Sequence, residues 1–265
     1  MSQPGLRSSV FFCCHWLIAL ASLLACLPAF ADLSDTIAAI KPSVVVVGTF
    51  NPLRSPPFAM RGTGFAVSDG TRIATNAHVV AAGVDVSQQE TFAVLVRQGD
   101  VLHRRNATLE TVDQNHDLAL LKITGPALPP LKIKPSVTIS EGQSIAFTGF
   151  PIGGALGFLP VTHRGIISSI TPIAIPTGNA LQLKEKAIQR LRSGLFSIYQ
   201  LDATAYPGNS GGPLFDPDTG EVIGIVNMVF VKGTKESVLE KPSGISYAIP
   251  ASFLLDLLSR NSRNE

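Results

Sequence analysis

Cysteine is confined to the start of the chain. Cys13, Cys14 and Cys26 are the only three, so a chain processed after Ala31 would hold no thiol. Disulfides, thiolate metal sites and cysteine nucleophiles are then excluded from everything downstream. Charge of one sign is equally scarce. With 21 Lys and Arg against 19 Asp and Glu, nothing electrostatic points to nucleic acid or an anionic membrane as a partner. There is no HExxH, so neither a metal nor another cofactor is expected. No internal sequence repeat, low-complexity tract or long linker marks a second folded unit.

The one long apolar run is Val10 to Leu27, preceded by a single charge, Arg7, and followed by "AFA" at residues 29 to 31. This reads as a signal peptide over residues 1–31, cleaved after Ala31, and places the protein in the periplasm or outside the cell. A retained anchor fits less well because the run stops at Pro28. A lipoprotein signal with Cys26 as the modified residue also fits less well, because Leu24 breaks its pattern. After signal removal no membrane contact is expected.

Downstream, short β-type runs recur between turn signals: residues 43–50, 62–68, 72–80, 91–97, 118–123, 144–150, 163–170, 221–231 and 244–250. Many short strands without alternating long helices predict an all-β antiparallel sandwich or barrel. Helical patterns are few. "SDTIAAI" (34–40) opens on a serine cap and ends at Lys41-Pro42, residues 180–194 carry apolar residues at helical spacing, and 250–260 reads as a closing helix with Pro250 at its start.

One stretch carries chemistry. "AYPGNSGGPLF" (205–215) sets Ser210 among Gly208, Gly211 and Gly212, which permit backbone angles closed to other residues. A serine hydroxyl is a weak nucleophile until a base, usually an imidazole held by a carboxylate, takes its proton. Outside the leader the histidines are His78, His103, His116 and His163. His78 ends a strand in "ATNAHVV", where it can project over a cleft. Asp117 stands at the mouth of the apolar strand in "NHDLALLKI", a junction that leaves a carboxylate partly buried. The N–H groups of Gly208 and Ser210 could converge on a developing oxyanion, with each such donor worth about 10²–10³ in rate.

"TNAHVV", "NHDLALLKI" and "GNSGGPL", in that order, resemble the three active-site motifs of the chymotrypsin-like serine proteases, most nearly the bacterial HtrA/Deg branch. The resemblance covers nearly the whole chain after the leader. It implies two antiparallel six-stranded β-barrels, about residues 32–135 and 136–250, within one trypsin-like protease domain over 32–265. It further implies His78 as general base, Asp117 as its orienting partner and Ser210 as nucleophile, with Gly208, Asn209 and Ser210 forming the oxyanion loop. Thr204 falls at the base of the pocket for the side chain before the scissile bond. Being uncharged, it disfavours a basic preference and leaves small or medium aliphatic groups, with Val226 to Val229 as a wall. Asn227 matches the position beside the aspartate, and Asn227 and Val229 complete the substrate-binding set.

Departures from the family pattern qualify the resemblance. Asn209 stands where zymogen-activated relatives carry an aspartate, so activation by a new N-terminus is not expected. The chain ends where PDZ domains follow in HtrA/Deg relatives, so PDZ regulation is not expected either. Residues 32–42 lack aromatic anchors, which favours a monomer, with a trimer as the alternative. The 171–199 segment is either a lid or a surface helix. His103 reads as a surface residue; so does His116, because side chains adjacent in a strand point to opposite faces and it neighbours Asp117; His163 reads as a strand edge near the pocket. The expected activity is hydrolysis of protein or peptide substrates through an acyl-enzyme. The competing reading is a chaperone-like or regulatory peptide-binding module with latent or no catalysis.

Overall fold

In "VVVV" (44–47) every second valine faces the opposite way, because successive side chains of a strand alternate between faces. Val45 and Val47 join a cluster with Ile73, Val94, Ala119 and Leu121 inside the first barrel. Val44 and Val46 pack instead with Phe65, Leu118 and Leu120 against Phe150, Phe215, Val222 and Ile249 of the second barrel. A strand buried on both faces is apolar throughout, which is why this run shows no alternation. Each such side chain contributes about 1.5–3 kcal/mol on burial.

The protein is described by a computed structural model covering residues 32–135, 139–153, 157–172, 196–227 and 245–262. The leader with its three cysteines, the 180–194 helical pattern and Val229 lie outside the described residues. A short helix α1 (Leu33–Ile40) and a 3₁₀ turn lead into six strands: β1 (Val44–Phe50), β2 (Phe58–Val67), β3 (Arg72–Thr75), β4 (Thr91–Gln98), β5 (Val101–Asp113) and β6 (Leu118–Ile123). A single helical turn α2 (Ala77–Val80) follows β3. The second set is β7 (Ser144–Gly149), β8 (Val161–Pro172), β9 (Ser197–Asp202), β10 (Pro213–Phe215), β11 (Val222–Asn227) and β12 (Ile245–Pro250), closed by helix α3 (Ala251–Ser262).

Each set closes into an antiparallel barrel, in the orders β1-β2-β3-β6-β5-β4 and β7-β8-β9-β12-β11-β10. The second order repeats the first, so the fold is duplicated in topology although no sequence repeat betrays it. The expected two six-stranded barrels are therefore observed. The connection is stitched first to one barrel and then to the other. Leu128 N–H donates to Gly70 O and Leu131 N–H to Ala66 O, then Lys134 N–H donates to Val222 O. Among the described residues no helix is long and apolar enough to cross a membrane.

Three strands escaped the sequence reading. β5 is exposed along most of its outer length and so lacks an apolar rhythm. β9 mixes polar and apolar residues in "SIYQLD". β10 has only three residues. Residues 72–80, read as one β run, divide into β3 and α2. Ser34, read as a cap, lies inside α1.

One ionic cluster fastens the β1–β2 loop. Glu90 accepts from Thr49 Oγ1 at 2.6 Å, Arg54 Nη1 at 3.0 Å and the Asp85 N–H at 3.1 Å. The Thr49 hydroxyl, then the Asp85 N–H and Arg54, hold its carboxyl down at about 2, from an ordinary 4.5. A depressed carboxylate stabilises the fold fully above its unfolded value and loses that contribution as pH falls through the folded one. Glu90→Gln should therefore melt below the native protein above about pH 4.5, with the gap closing as pH falls towards 2. Thermal melts of both proteins across that range test this, and a gap independent of pH would contradict it.

Candidate active site

The site is built where the two barrels meet. After β3 the chain turns at Asn76, whose backbone is extended (φ −82°, ψ 150°), into the single turn α2. Its neighbour across the gap is the turn between β5 and β6, which ends at Asp117. The Asp117 carbonyl accepts the Ala77 N–H at 3.1 Å and Asn76 Nδ2 at 3.0 Å. Its carboxylate takes three donors: Oδ1 accepts the His78 N–H at 2.8 Å, while Oδ2 accepts His78 Nδ1–H and Asn227 Nδ2, each at 2.7 Å. With Nδ1 carrying the proton, Nε2 of His78 is left as the acceptor. Asp117 sits in the left-handed region at φ 53°, a conformation that costs a non-glycine residue about 1–3 kcal/mol and persists only where its surroundings impose it.

Ser210 comes from the second barrel, on the loop before β10. Its carbonyl accepts the Thr63 N–H of β2 at 2.8 Å. Gly211 (φ 87°) packs so closely there that a Cβ would stand 2.1 Å from Thr63 O and 3.2 Å from Asn76 N. The Ser210 loop is thus pressed against β2 and against the turn after β3 that leads into His78. Among the described residues Ser210 Oγ makes no hydrogen bond to the His78 ring. Bonds of this kind commonly tighten only when substrate arrives.

Residues 206–209 form a turn closed by Asn209 N–H to Tyr206 O at 3.0 Å. Pro207 occupies its second position and Gly208, at φ 105°, its third. That is the pattern of a type II turn, which needs glycine there. The Pro207 carbonyl accepts the Ile152 N–H at 2.8 Å. Because the peptide is trans, the Gly208 N–H points the opposite way. Among the described residues the N–H groups of Gly208 and Ser210 bond to no carbonyl, whereas that of Asn209 is taken by Tyr206. Of the three residues assigned to the oxyanion loop, only the outer two therefore offer a donor. The Asn209 side chain is wholly buried, with no partner for either carboxamide atom among the described residues.

Two residues absent from the sequence reading hold this arrangement. Thr63 Oγ1 donates to Gly208 O at 2.6 Å and accepts the Phe150 N–H at 3.2 Å. Ser246 Oγ donates to Ala203 O at 2.8 Å and accepts the Ala205 N–H at 2.9 Å. It pins the residues on either side of the half-buried Thr204. Both are buried hydroxyls in apolar strands, which is the signal that could have singled them out, since such groups require partners.

The other histidines separate. His103 is exposed on β5. His163 stacks on Phe147 at 4.9 Å and lies 6.2 Å from Tyr206, and burial pushes its imidazole down towards the neutral form. His116, expected at the surface, is instead half-buried: residues 114–117 form a turn, so the strand alternation used to point it outward does not apply. Among the described residues no group of His, Cys, Asp and Glu is arranged to hold a metal.

The trypsin-like peptidase domain matches residues 62–225. Serine protease HTRA3 of Rattus norvegicus is 30% identical over 236 residues, covering 87% of this chain and 44% of its own length. A probable periplasmic serine endoprotease, DegP-like, of Pseudomonas fluorescens is 32% identical over 196 residues, covering 74% of this chain and 34% of its own. The chain thus spans less than half the length of these curated relatives. Among solved structures, the HtrA-type protease AlgW with a decapeptide superposes with a TM-score of 0.62 at 25% identity, covering 88% of this chain and 68% of that one.

Proposed function

The chain belongs to the trypsin-like peptidase family, and from that premise we propose that it is an exported serine endopeptidase whose triad is Ser210, His78 and Asp117. The observation that carries this reading is the Asp117 carboxylate, which takes His78 Nδ1–H, the His78 N–H and Asn227 Nδ2 together. That set fixes one tautomer of His78 and leaves Nε2 to act as base.

In the proposed reaction Ser210 Oγ attacks the substrate carbonyl carbon while its proton passes to His78 Nε2. The carbonyl oxygen becomes an oxyanion facing the N–H groups of Gly208 and Ser210. When the carbon–nitrogen bond breaks, His78 returns the proton to the departing amine and an acyl-enzyme remains. Water, deprotonated by His78, then attacks the acyl carbon and releases Ser210. Asp117 stabilises the imidazolium formed in each half-reaction without itself gaining a proton. Thr204, held by Ser246, forms the base of an uncharged pocket for the residue before the cleaved bond, with Asn227 and Val229 along the substrate. Residues 1–31 direct export and are removed. The periplasmic assignment of the DegP-like relative and the peptide bound to AlgW support an extracytoplasmic enzyme acting on peptide segments of unfolded or partner proteins.

A fluorophosphonate probe tests the assignment. Peptide mapping should place the adduct on Ser210, and digestion of unfolded casein should disappear with labelling. An adduct elsewhere, or undiminished digestion by fully labelled protein, would refute it. Thr63→Val keeps the shape but leaves Gly208 O and the Phe150 N–H unpaired, costing about 1–3 kcal/mol of stability. Because Gly208 carries an oxyanion donor, kcat should fall by roughly 10–100-fold, short of the full loss of one donor. Calorimetry and peptide kinetics on the same preparation check both numbers.

A further inference from the structure

A second histidine–aspartate pair stands beside the first. Asp113, the last residue of β5, is 7% exposed, and its carboxylate gathers the turn that follows. Oδ1 accepts the N–H groups of Asn115 and His116, each at 3.1 Å. Oδ2 accepts His116 Nδ1 at 2.9 Å and Arg260 Nη2 of α3 at 2.7 Å. Burial pushes this carboxyl up, but the hydrogen bonds from His116 and Arg260 outweigh it and hold the group below the ordinary carboxylate range.

The His116 ring is clamped as well. It stacks on Phe253 of α3 with centroids 4.1 Å apart and planes 16° from parallel, and meets Phe196 edge-on at 4.8 Å. Phe253 and Arg260 are seven residues apart, two turns of helix, and so lie on one face of α3. Beside Arg260, Asn261 Nδ2 reaches Glu110 of β5 at 3.4 Å, and Glu110 in turn pairs with Arg72 of β3 at 3.0 Å. Helix α3 therefore grips the turn 113–117 through a charge and an aromatic stack, and the strand that leads into it through an amide.

That turn delivers Asp117 in its left-handed conformation. We infer that α3, acting through Arg260 and Phe253 on Asp113 and His116, is the element that positions Asp117 against His78. The inference rests on the reading of Asp117 as the orienting carboxylate. Arg260, Asp113 and His116 are positioning residues, since none touches the reacting atoms. Magnitudes separate this role from simple stabilisation. The Arg260 side chain is 57% exposed against 6% for the Asp113 carboxylate it meets, so solvent screens its charge and limits what the pair adds to stability. A displacement of about 1 Å at a triad member, by contrast, can cost 10²-fold in rate.

The experiment uses the full chain with Arg260→Ala, Arg260→Lys and Phe253→Leu. Two quantities are read: amide hydrogen exchange at Ala77 and His78, whose N–H groups bond to Asp117, and fluorophosphonate labelling resolved into a maximal rate and a half-saturating concentration. In Arg260→Ala, exchange at these two amides should rise relative to Val46 of β1. The maximal labelling rate should fall by about tenfold or more, with the half-saturating concentration nearly unchanged, and Arg260→Lys should recover most of the loss.

Unchanged exchange at Ala77 and His78 would overturn the inference, and so would a loss that follows only the half-saturating concentration. If the native chain is not labelled but Arg260→Ala still loosens the two amides, the protease reading fails while the positioning role stands. If Arg260→Ala does not fold, Phe253→Leu against Arg260→Lys decides the matter by the same exchange readout.

Discussion

Replacing Ser210 by alanine should lower kcat for peptide hydrolysis by on the order of 10⁶, the loss expected when the nucleophile of a working triad is removed. The fold should survive the change. Ser210 is held in place through its carbonyl, bonded to Thr63 N–H at 2.8 Å, and alanine keeps that bond. Its Oγ has no hydrogen-bond partner among the described residues, so removal strands no buried donor or acceptor. Binding should also survive, because the change leaves the proposed Thr204 pocket and the backbone N–H groups of Gly208 and residue 210 in place. The variant should therefore retain unfolded substrate without cutting it. Casein digestion followed by equilibrium binding of a labelled peptide separates the two effects. Residual activity above about 1% of native, far beyond that loss, would mean that another group performs the chemistry.

Asp117→Asn should be nearly as severe, with kcat reduced by about 10⁴. The reason is a count of donors. Both carboxylate oxygens accept: Oδ1 from the His78 N–H, and Oδ2 from His78 Nδ1 and Asn227 Nδ2. A carboxamide has one oxygen to offer. If that oxygen faces the ring and Asn227, the NH₂ group confronts the His78 N–H. If it faces the backbone instead, the NH₂ group confronts Asn227 and forces the His78 proton from Nδ1 to Nε2, where it blocks uptake of the serine proton. Either arrangement also leaves a part-buried donor unpaired, at about 1–3 kcal/mol, so melting should fall together with rate. Double replacement with Asn227→Asp restores an acceptor opposite the new amide, and should recover stability more than activity. If Asp117→Asn keeps more than a tenth of native kcat, Asp117 does not orient the base.

The family was the most readable part of the sequence, because its chemistry asks for particular residue types in fixed local settings. Glycines around Ser210 and an aspartate at a strand mouth are demands of the reaction that the chain displays locally. The supports of that chemistry are not local. Thr63 reaches Gly208 across 145 positions, and Ser246 braces Ala203 across 43; no short window contains both partners. His116 was misjudged because strand alternation was applied to a residue that stands in a turn. β5 was missed because His103 to Asn106 are polar at four successive positions and so on both faces, which leaves none of the alternation that marks a half-buried strand. The all-β class, in contrast, was plain from runs such as Val44–Val47, whose burial on both faces excludes polar residues.

The division of the site between two barrels of identical strand order has a consequence for synthesis. A chain emerging from its first residue completes β1 to β6, with His78 and Asp117 in place, before the strand that follows Ser210 exists. That half closes on itself as a barrel and, on the proposed assignment, holds the base without the nucleophile. The second half holds the proposed nucleophile without that base, and neither half should cut a peptide alone. On the proposed reading the power to cut arises only on docking, at Thr63 against Gly208 and Ser210, so the nascent chain is spared its own activity. Cleaving the connection between Ile123 and Ser144 and recombining the two fragments should restore hydrolysis in step with their association.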